Sequence, residues 1–582
     1  MTSFFERLKQ RKIVQWALAY IAAAFALIQV ADIVGQRFGW PEQAMRIFIV
    51  VTAVGFFVTL IVAWYHGERG VQRVNGTELL ILALVLAIGG AVAWKLGPPS
   101  TPRTAVATDA PPQSVAVLPL LNESGDPQQD YFSDGLSEEL ISSLAQVHSL
   151  KVIGRSSSFR FRGKDQDDTA AIGAKLGVAT LVQGTVRKQG DQVRILASLI
   201  RAADGSSMWS QTYNRELKDV FAVQADIATS VAGALKSALL GKTLESADKP
   251  PSGNIDAYNA MLHGRFYATR RNRADHLKAV DYYEQAIKLD PDYAMAYARL
   301  ANAQQWFVDW IANGEERRKI TPQALANAQK ALALDPQSAV GMGALGINQA
   351  WSQFDLKTGE ATLRKAVQLD PNNPETLYQL ADVIGCLGRL DESIPMMRTV
   401  LAKEPLNPQF HFNMGQFLLG LNRIDEAIVE LQRAIDLQPE AAGFRFNLVQ
   451  SYILQKKFDD ALAVALSEPD PGNRRSALAQ TYTAKGDAAN AQAQLEQMLK
   501  FDSESNAFYI AEVYTLRGEN DKAFEWLDRA FVIRDPTLAI LYEDPIVLPA
   551  LRDDPRMKAI LAKLGLPDPD AVPYPWPKKT SG

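Results

Sequence analysis

This 582-residue chain has a single cysteine, Cys386, so no disulfide can form within it and no cysteine metal site can be built. Its five histidines, His66, His148, His263, His276 and His411, are scattered, with no pair at ligand spacing. It has no glycine-rich phosphate loop, no nucleophile elbow and no zinc-protease helix signature. Charge of one sign is also missing. The formal charge is −4 and the pI is near 5.9, which argues against nucleic-acid binding as the main task. These absences remove the usual grounds for assigning catalytic, cofactor or metal residues, and none is assigned. The expectation is a protein that is not an enzyme and needs no cofactor.

What the chain does have is a regular beat of proline. Pro291, Pro336, Pro371, Pro405 and Pro439 each follow a short polar step such as Leu289-Asp290 or Leu369-Asp370. The last two intervals are both 34 residues and the one before them is 35. Small and large residues keep fixed offsets within each period, as with Ala427, Leu431 and Ala434 before Pro439, or Ala279, Tyr283 and Ala286 before Pro291. Small residues let two helices approach, large ones fill the space beside them, and Pro stops the second helix. A period of this length ending in Pro resembles the tetratricopeptide repeat family, which implies stacked helical hairpins.

About eight units are expected: 254–291, 293–336, 338–371, 374–405, 408–439, 442–469, 473–502 and 506–535. The second is 45 residues by the Pro count, and its extra residues, around Trp310 to Thr321, are read as a loop. Such an array needs capped ends. Residues 542–567, with Asp544-Pro545, Asp554-Pro555 and an amphipathic stretch from Arg556 to Leu564, are read as the C-terminal cap, and 568–582 as a disordered tail. With Trp526-Leu527 and Arg534-Asp535-Pro536 before it, this ending resembles the end-of-group repeat of bacterial membrane and signalling proteins.

The first hundred residues are a different material. Three apolar runs, about 13–34, 47–65 and 78–96, read as a membrane anchor of three transmembrane helices over residues 1–96. Six Lys and Arg (Arg7, Lys9, Arg11, Lys12, Arg69, Arg73) lie on one side, against four (Arg37, Arg46, Lys95, Arg103) on the other. That bias places the N-terminus in the cytoplasm and the soluble body in the periplasm, as a multi-pass protein of the bacterial inner membrane. Asp32 and Gln29 sit near the end of the first run; an ionisable residue in a membrane is a functional candidate, but Asp32 reads as close enough to the interface to be wetted, and Gly89-Gly90 in the third run would permit close helix contact. Residues 97–113, with Pro98, Pro99, Pro102, Pro111 and Pro112, read as a semi-rigid linker.

Residues 114–241 alternate strand and helix signals. Strands are expected at Ser114–Leu120, Lys151–Arg155, Ala179–Lys188, Gln192–Ala203 and Met208–Tyr213. Helices are expected from a Ser133 cap to about Val147, at Thr169–Leu176 and at Val220–Leu240. The blocks Val115-Ala116-Val117-Leu118-Pro119, Tyr131-Phe132-Ser133-Asp134-Gly135-Leu136, Gly154-Arg155-Ser156-Ser157-Ser158-Phe159, Val182-Gln183-Gly184-Thr185-Val186-Arg187 and Trp209-Ser210-Gln211-Thr212-Tyr213 make this domain resemble the amino-terminal domain of TolB. In related chains that domain precedes tetratricopeptide repeats, and some carry a cyclase or a winged-helix domain ahead of it. The resemblance implies an extracytoplasmic interaction or sensing module. The fold class expected is therefore mainly α: anchor, small α+β domain, then α-solenoid.

Two candidate sites follow. Tyr378, Phe412 and Phe446 lie 34 apart in three consecutive first helices, and Asp382, Gln416 and Gln450 lie one turn further on. An aromatic row beside a polar row suits an extended peptide on a concave surface, although the aromatics could equally pack between neighbouring helices. In RSSSFRFRGK, residues 155–164, Arg155, Ser157, Arg160 and Arg162 form a candidate anion loop, the alternative being a solvated turn over Phe159 and Phe161. The expected partners are proteins or peptides and the inner-membrane bilayer, with no nucleic acid. The favoured role is a membrane-anchored adaptor or scaffold; the alternative is an extracytoplasmic sensor coupled to a separate cyclase or transcriptional regulator.

Overall fold

The computed structural model describes residues 110–576 apart from 148, 167, 236–248, 271 and 313, together with scattered positions between 17 and 58. Contacts divide the chain into two units, Met1–Val106 and Ala107–Gly582. In the first unit the Tyr20 hydroxyl donates to the Thr52 carbonyl at 2.8 Å, and the Tyr20 ring stands 5.9 Å from that of Phe56. Residues of the first and second apolar runs are thus in contact. Among the described residues no helix is long and apolar enough to cross a membrane. The three expected spans lie mostly outside the described residues, the third wholly, as do Asp32, Gly89, Gly90 and residues 97–109.

The second unit begins with a six-stranded sheet of order β3-β1-β4-β5-β6, with β2 beside β4. Its strands are β1 (Ser114–Val117), β2 (Leu121–Asn122), β3 (Lys151–Ile153), β4 (Thr180–Gln189), β5 (Gln192–Arg201) and β6 (Ser207–Glu216). β1 runs parallel to β3 and β4, whereas β4, β5 and β6 are antiparallel. Gln189 pairs with Gln192, so the hairpin closes over Gly190-Asp191, and Gly190 takes the positive φ such a turn requires (59°). Side chains alternate across β1. Val115 and Val117 face helices α1 (Asp130–Ala145) and α4 (Val220–Ala234), and Ala116 and Leu118 face α3 (Thr169–Leu176).

Two local expectations shift. Ser133 does not cap a helix; it is buried inside α1, because Asp126 and Pro127 open a 3-10 turn that starts the helix earlier. The third strand stops at Ile153, and Arg155–Ser158 turns into the short helix α2.

Eight helical hairpins follow. They pair α5 (Ile255–Ala268) with α6 (Arg273–Leu289), α7 (Ala294–Trp310) with α8 (Gly314–Leu334), α9 (Ala339–Ile347) with α10 (Leu356–Leu369), and α11 (Pro374–Cys386) with α12 (Leu390–Lys403). They continue with α13 (Pro408–Gly420) and α14 (Ile424–Leu437), α15 (Phe444–Leu454) and α16 (Phe458–Leu466), α17 (Pro471–Lys485) and α18 (Ala488–Phe501), and α19 (Ala507–Leu516) and α20 (Asn520–Ile533). The beat residues sit two positions beyond the last residue of α6, α8, α10, α12 and α14. Close approach within a hairpin is direct: a Cβ on Gly346 would come 2.7 Å from Leu363, and one on Gly415 would come 2.6 Å from Leu431.

The insertion in the second unit is not a loop. Its residues lengthen α7 to 17 and α8 to 21 residues. Glu315 and Glu316 in the first turn of α8 favour that extension through the helix dipole.

Past α20 the chain forms a 3-10 turn, Pro536–Ile540, then α21 (Val547–Leu551) and α22 (Pro555–Lys563). These segments do more than close the last unit. They share one apolar core with Ile347, Leu363, Leu380, Val383 and Ile384 of the third and fourth units. Arg534 donates to the Ser352 carbonyl at 2.7 Å, in a π-helical turn after α9, and the Trp576 indole donates to the Gly420 carbonyl at 3.0 Å. The array therefore curls until its end meets its middle. Residues 568–576, read from sequence as tail, are packed: Tyr574 lies edge-on to Tyr542, and Arg552 bonds Asp570 and the Trp576 carbonyl. Residues 577–582 lie outside the described residues.

Candidate functional site

Closure of the array leaves an interior cavity of about 1080 Å³. Its wall is made by the first helices of successive units, by α1 and α2 of the sheet domain, and by the segment after α20. All six residues of the expected rows line it: Tyr378, Asp382, Phe412, Gln416, Phe446 and Gln450. The three aromatics line the cavity without being free of the helices beside them. Tyr378 and Phe412 each pack against a ring of the next unit, Phe410 and Phe444 at 5.0 Å, and Phe446 packs on Tyr509 two units on at 4.3 Å. Gln450 is committed, donating to Glu512 at 3.0 Å.

The cavity carries strong acidic character. Twelve Asp and Glu line it against four Arg, and no Lys or His does. Many of these carboxylates have structural work. Asp470 caps α17, and Asp502 takes a bidentate pair from Arg475. Glu512 and Asp544 hydrogen-bond each other, both raised above the usual range by burial. Asp309 accepts from Gln305 at 2.7 Å, and burial pushes it up to about 7 even with the Gln305 bond and the Arg317 charge opposing. Asp382 is raised by burial and then by the charges of Asp309 and Glu375. Glu543 is raised by burial and by Asp382, and accepts from the Cys386 thiol at 3.6 Å.

The second candidate, the loop at 155–164, holds an anion, and that anion belongs to the chain. Glu404, at the end of α12, accepts from the backbone amides of Ser156 (3.1 Å) and Ser157 (2.8 Å) at the start of α2. The Ser157 hydroxyl in turn accepts from the Leu406 amide at 3.0 Å. Arg155 pairs with Glu138 at 3.0 Å, Arg162 grips both oxygens of Asp134 at 2.8 Å, and Arg160 donates to the Leu437 carbonyl. Phe161 is buried. This loop is thus the dock between the sheet domain and the fourth and fifth units. A second clamp lies at the first unit, where buried Arg265 pairs with Glu138 and Glu139. Burial alone would raise Glu138, but Arg265 and Arg155 outweigh it and hold it at about 2.

Sequence reasoning missed Asp309, Glu512, Glu543 and Asp544 in this interior. Only the unusual length of the second unit, which borders Asp309, signalled anything there. Among the described residues no group of three or more metal-ligating side chains stands ready for an ion.

Comparison with known proteins places the periodic half. Tetratricopeptide-repeat family profiles match residues 271–293, 387–442 and 418–474. The chain carries tetratricopeptide repeats. Over 253 residues it is 32% identical to a protein of Rhizobium meliloti (strain 1021) named "Putative adenylate cyclase 3", a match spanning 42% of this chain and 42% of that relative. Among solved structures, TTC0263 of Thermus thermophilus, a thermophilic tetratricopeptide protein, is 20% identical. It covers 34% of this chain and 99% of its own, with a TM-score of 0.29. The pilF protein of Pseudomonas aeruginosa is 17% identical over 39% of this chain and 97% of its own, with a TM-score of 0.30.

Proposed function

We propose that this chain is a non-enzymatic adaptor that binds a protein or peptide partner inside its tetratricopeptide array, held at the bacterial inner membrane by residues 1–96 with the array in the periplasm. One observation carries the binding reading. Corresponding positions of consecutive first helices, an aromatic row and a polar row, converge on one cavity of about 1080 Å³. Such a wall offers side-chain slots beside hydrogen-bond partners, which is what an extended segment needs. The membrane placement is supported by the three apolar runs and the Lys and Arg bias, and the extracytoplasmic reading by the TolB-like blocks.

Crosslinking of the full chain in living cells, read by mass spectrometry, should recover a protein partner. Gln416→Arg, which fills the interior with a long cation, should lose that partner, with circular dichroism checking that the variant keeps its native helix content. Unchanged recovery would remove the groove from the account. A reporter after Gly582 should be periplasmic, and a cytosolic reporter would overturn the placement.

The likeness to a relative bearing a cyclase name favours one second reading, a sensor that regulates a separate cyclase. Deletion of the gene would then change cellular cyclic AMP, which the adaptor reading does not require.

A further inference from the structure

The cavity is unevenly satisfied, and the imbalance has a chemistry. Two carboxylates, Asp382 and Glu543, converge where the fourth unit meets the closing segment, and Gln379 lies beside Asp382 with its amide oxygen toward Gly343 of α9. Gln379 and Asp382 stand one turn apart on α11. Glu543 arrives from the segment after α20; a Cβ on Gly385, the next turn of α11, would come 2.8 Å from its carboxylate. The exposures of the three are 7%, 6% and 1%. The Gln379 side-chain oxygen and the Glu543 Oε2 have no hydrogen-bond partner. The Asp382 carboxylate faces the like charges of Asp309 and Glu375. Asp309 adds a further acceptor nearby, but Gln305 already donates to it and the more distant Arg317 acts on it by charge.

The unfilled atoms of Gln379 and Glu543 are acceptors, whereas the unfilled donors of the cavity, Arg299 Nε and Arg317 Nη1, belong to the second repeat. A buried acceptor left without a donor is costly, and more so when charged. The complement is a group with several donors, no acceptor and a positive charge. A guanidinium or an ammonium has that character. None of the four cavity arginines supplies it. Arg155 is held by Glu138, Arg475 by Asp502, Arg317 donates to the Val308 carbonyl, and the charge of Arg299 acts on Glu138 and Tyr283.

We propose that the interior binds an extended segment of a partner protein through an Arg or Lys side chain seated against Asp382 and Glu543, with Gln379 one turn before Asp382 on α11. The aromatic row beyond, Phe412 and Phe446, takes neighbouring side chains of the same segment. Charge complementarity selects this occupant: a lining of twelve carboxyl groups against four guanidinium groups disfavours an acidic segment. The cavity also runs past the acidic pole through several units, further than a lone amine would fill.

The inference rests on the adaptor reading above, and the test separates the two. Degenerate short peptides with a fixed central residue, either Arg, Lys, citrulline or Glu, are offered to the full chain, and binding is read by fluorescence anisotropy. Arg or Lys pools should bind at least roughly thirtyfold tighter than the citrulline pool, since leaving one partner of a buried charge pair alone is costly. Asp382→Asn, which keeps shape and fold, should erase that preference, and Glu543→Gln should weaken it. Equal binding of the Arg and citrulline pools would sink the cationic pole while leaving the groove intact. Binding of no pool at all would sink both. If free agmatine competes as well as the Arg pool, the occupant is a small amine and the assignment to a protein segment is overturned.

Discussion

Asp309 lies one helical turn after Gln305 on α7, and its carboxyl is taken out of water with one amide bond and one distant guanidinium to compensate. In the unfolded chain an aspartate titrates near 4, whereas here burial lifts it to about 7. The sign follows from linkage. The folded state holds the proton more tightly, so this group's contribution is intact below about pH 4 and is lost as pH rises toward about 7. The loss is up to about 4 kcal/mol, and Asp382 shifts in the same direction for the same reason. Asp309→Asn keeps the Gln305 bond and removes the titration. Denaturant unfolding of the two proteins should coincide near pH 4, and the variant should be the more stable near pH 8. Parallel curves across that range would show the carboxyl to be ionised at little cost.

At the scale of elements the period recurs in places other than Pro. Phe354, Gly388, Asn422 and Lys456 all take positive φ between 55° and 77°, and they stand 34 apart, at the turn inside four consecutive hairpins. Asn373 and Asn407, also 34 apart, cap α11 and α13 through side-chain acceptance, each followed by Pro at the first helical position. The join between sheet domain and array breaks this regularity. Glu404 occupies the step before Pro405 yet spends its carboxylate on α2 of another domain, against the burial that raises its pKa. Glu404→Ala should free the Ser156 and Ser157 amides and cost about 2–3 kcal/mol, since bonds to a charged acceptor are among the stronger ones. Hydrogen exchange of α2 should rise while that of α14 stays protected. If α2 remains as protected as in the native chain, the bonds of Leu406 and Asn407 to Ser157 and Ser156 hold α2 without Glu404.

Across the whole second unit, what was legible in sequence was local and what was not was distant. The eight hairpins could be counted because a 34-residue rhythm is written in adjacent residues such as Ala427, Leu431 and Ala434. The two rows of the site followed from that rhythm. The extra length of the second unit was misread because a residue count cannot tell a loop from two longer helices. Glu543 was invisible because it meets Cys386 across 157 residues, and only the curl of the array brings them together. That curl makes the final test a global one. Stacked repeats draw stability from neighbours, so a segment bridging the end to the middle links units that would otherwise be independent. Removing residues 536–582 strips Leu541, Tyr542, Leu548 and Met557 from a core they share with Leu380, Val383 and Ile384. The shortened chain should lose single-transition unfolding, and exchange should quicken in α9, α11 and α13 before the first two units. If α11 keeps its native protection, its apolar face is covered without the closing segment, and the array is an open solenoid rather than a closed one.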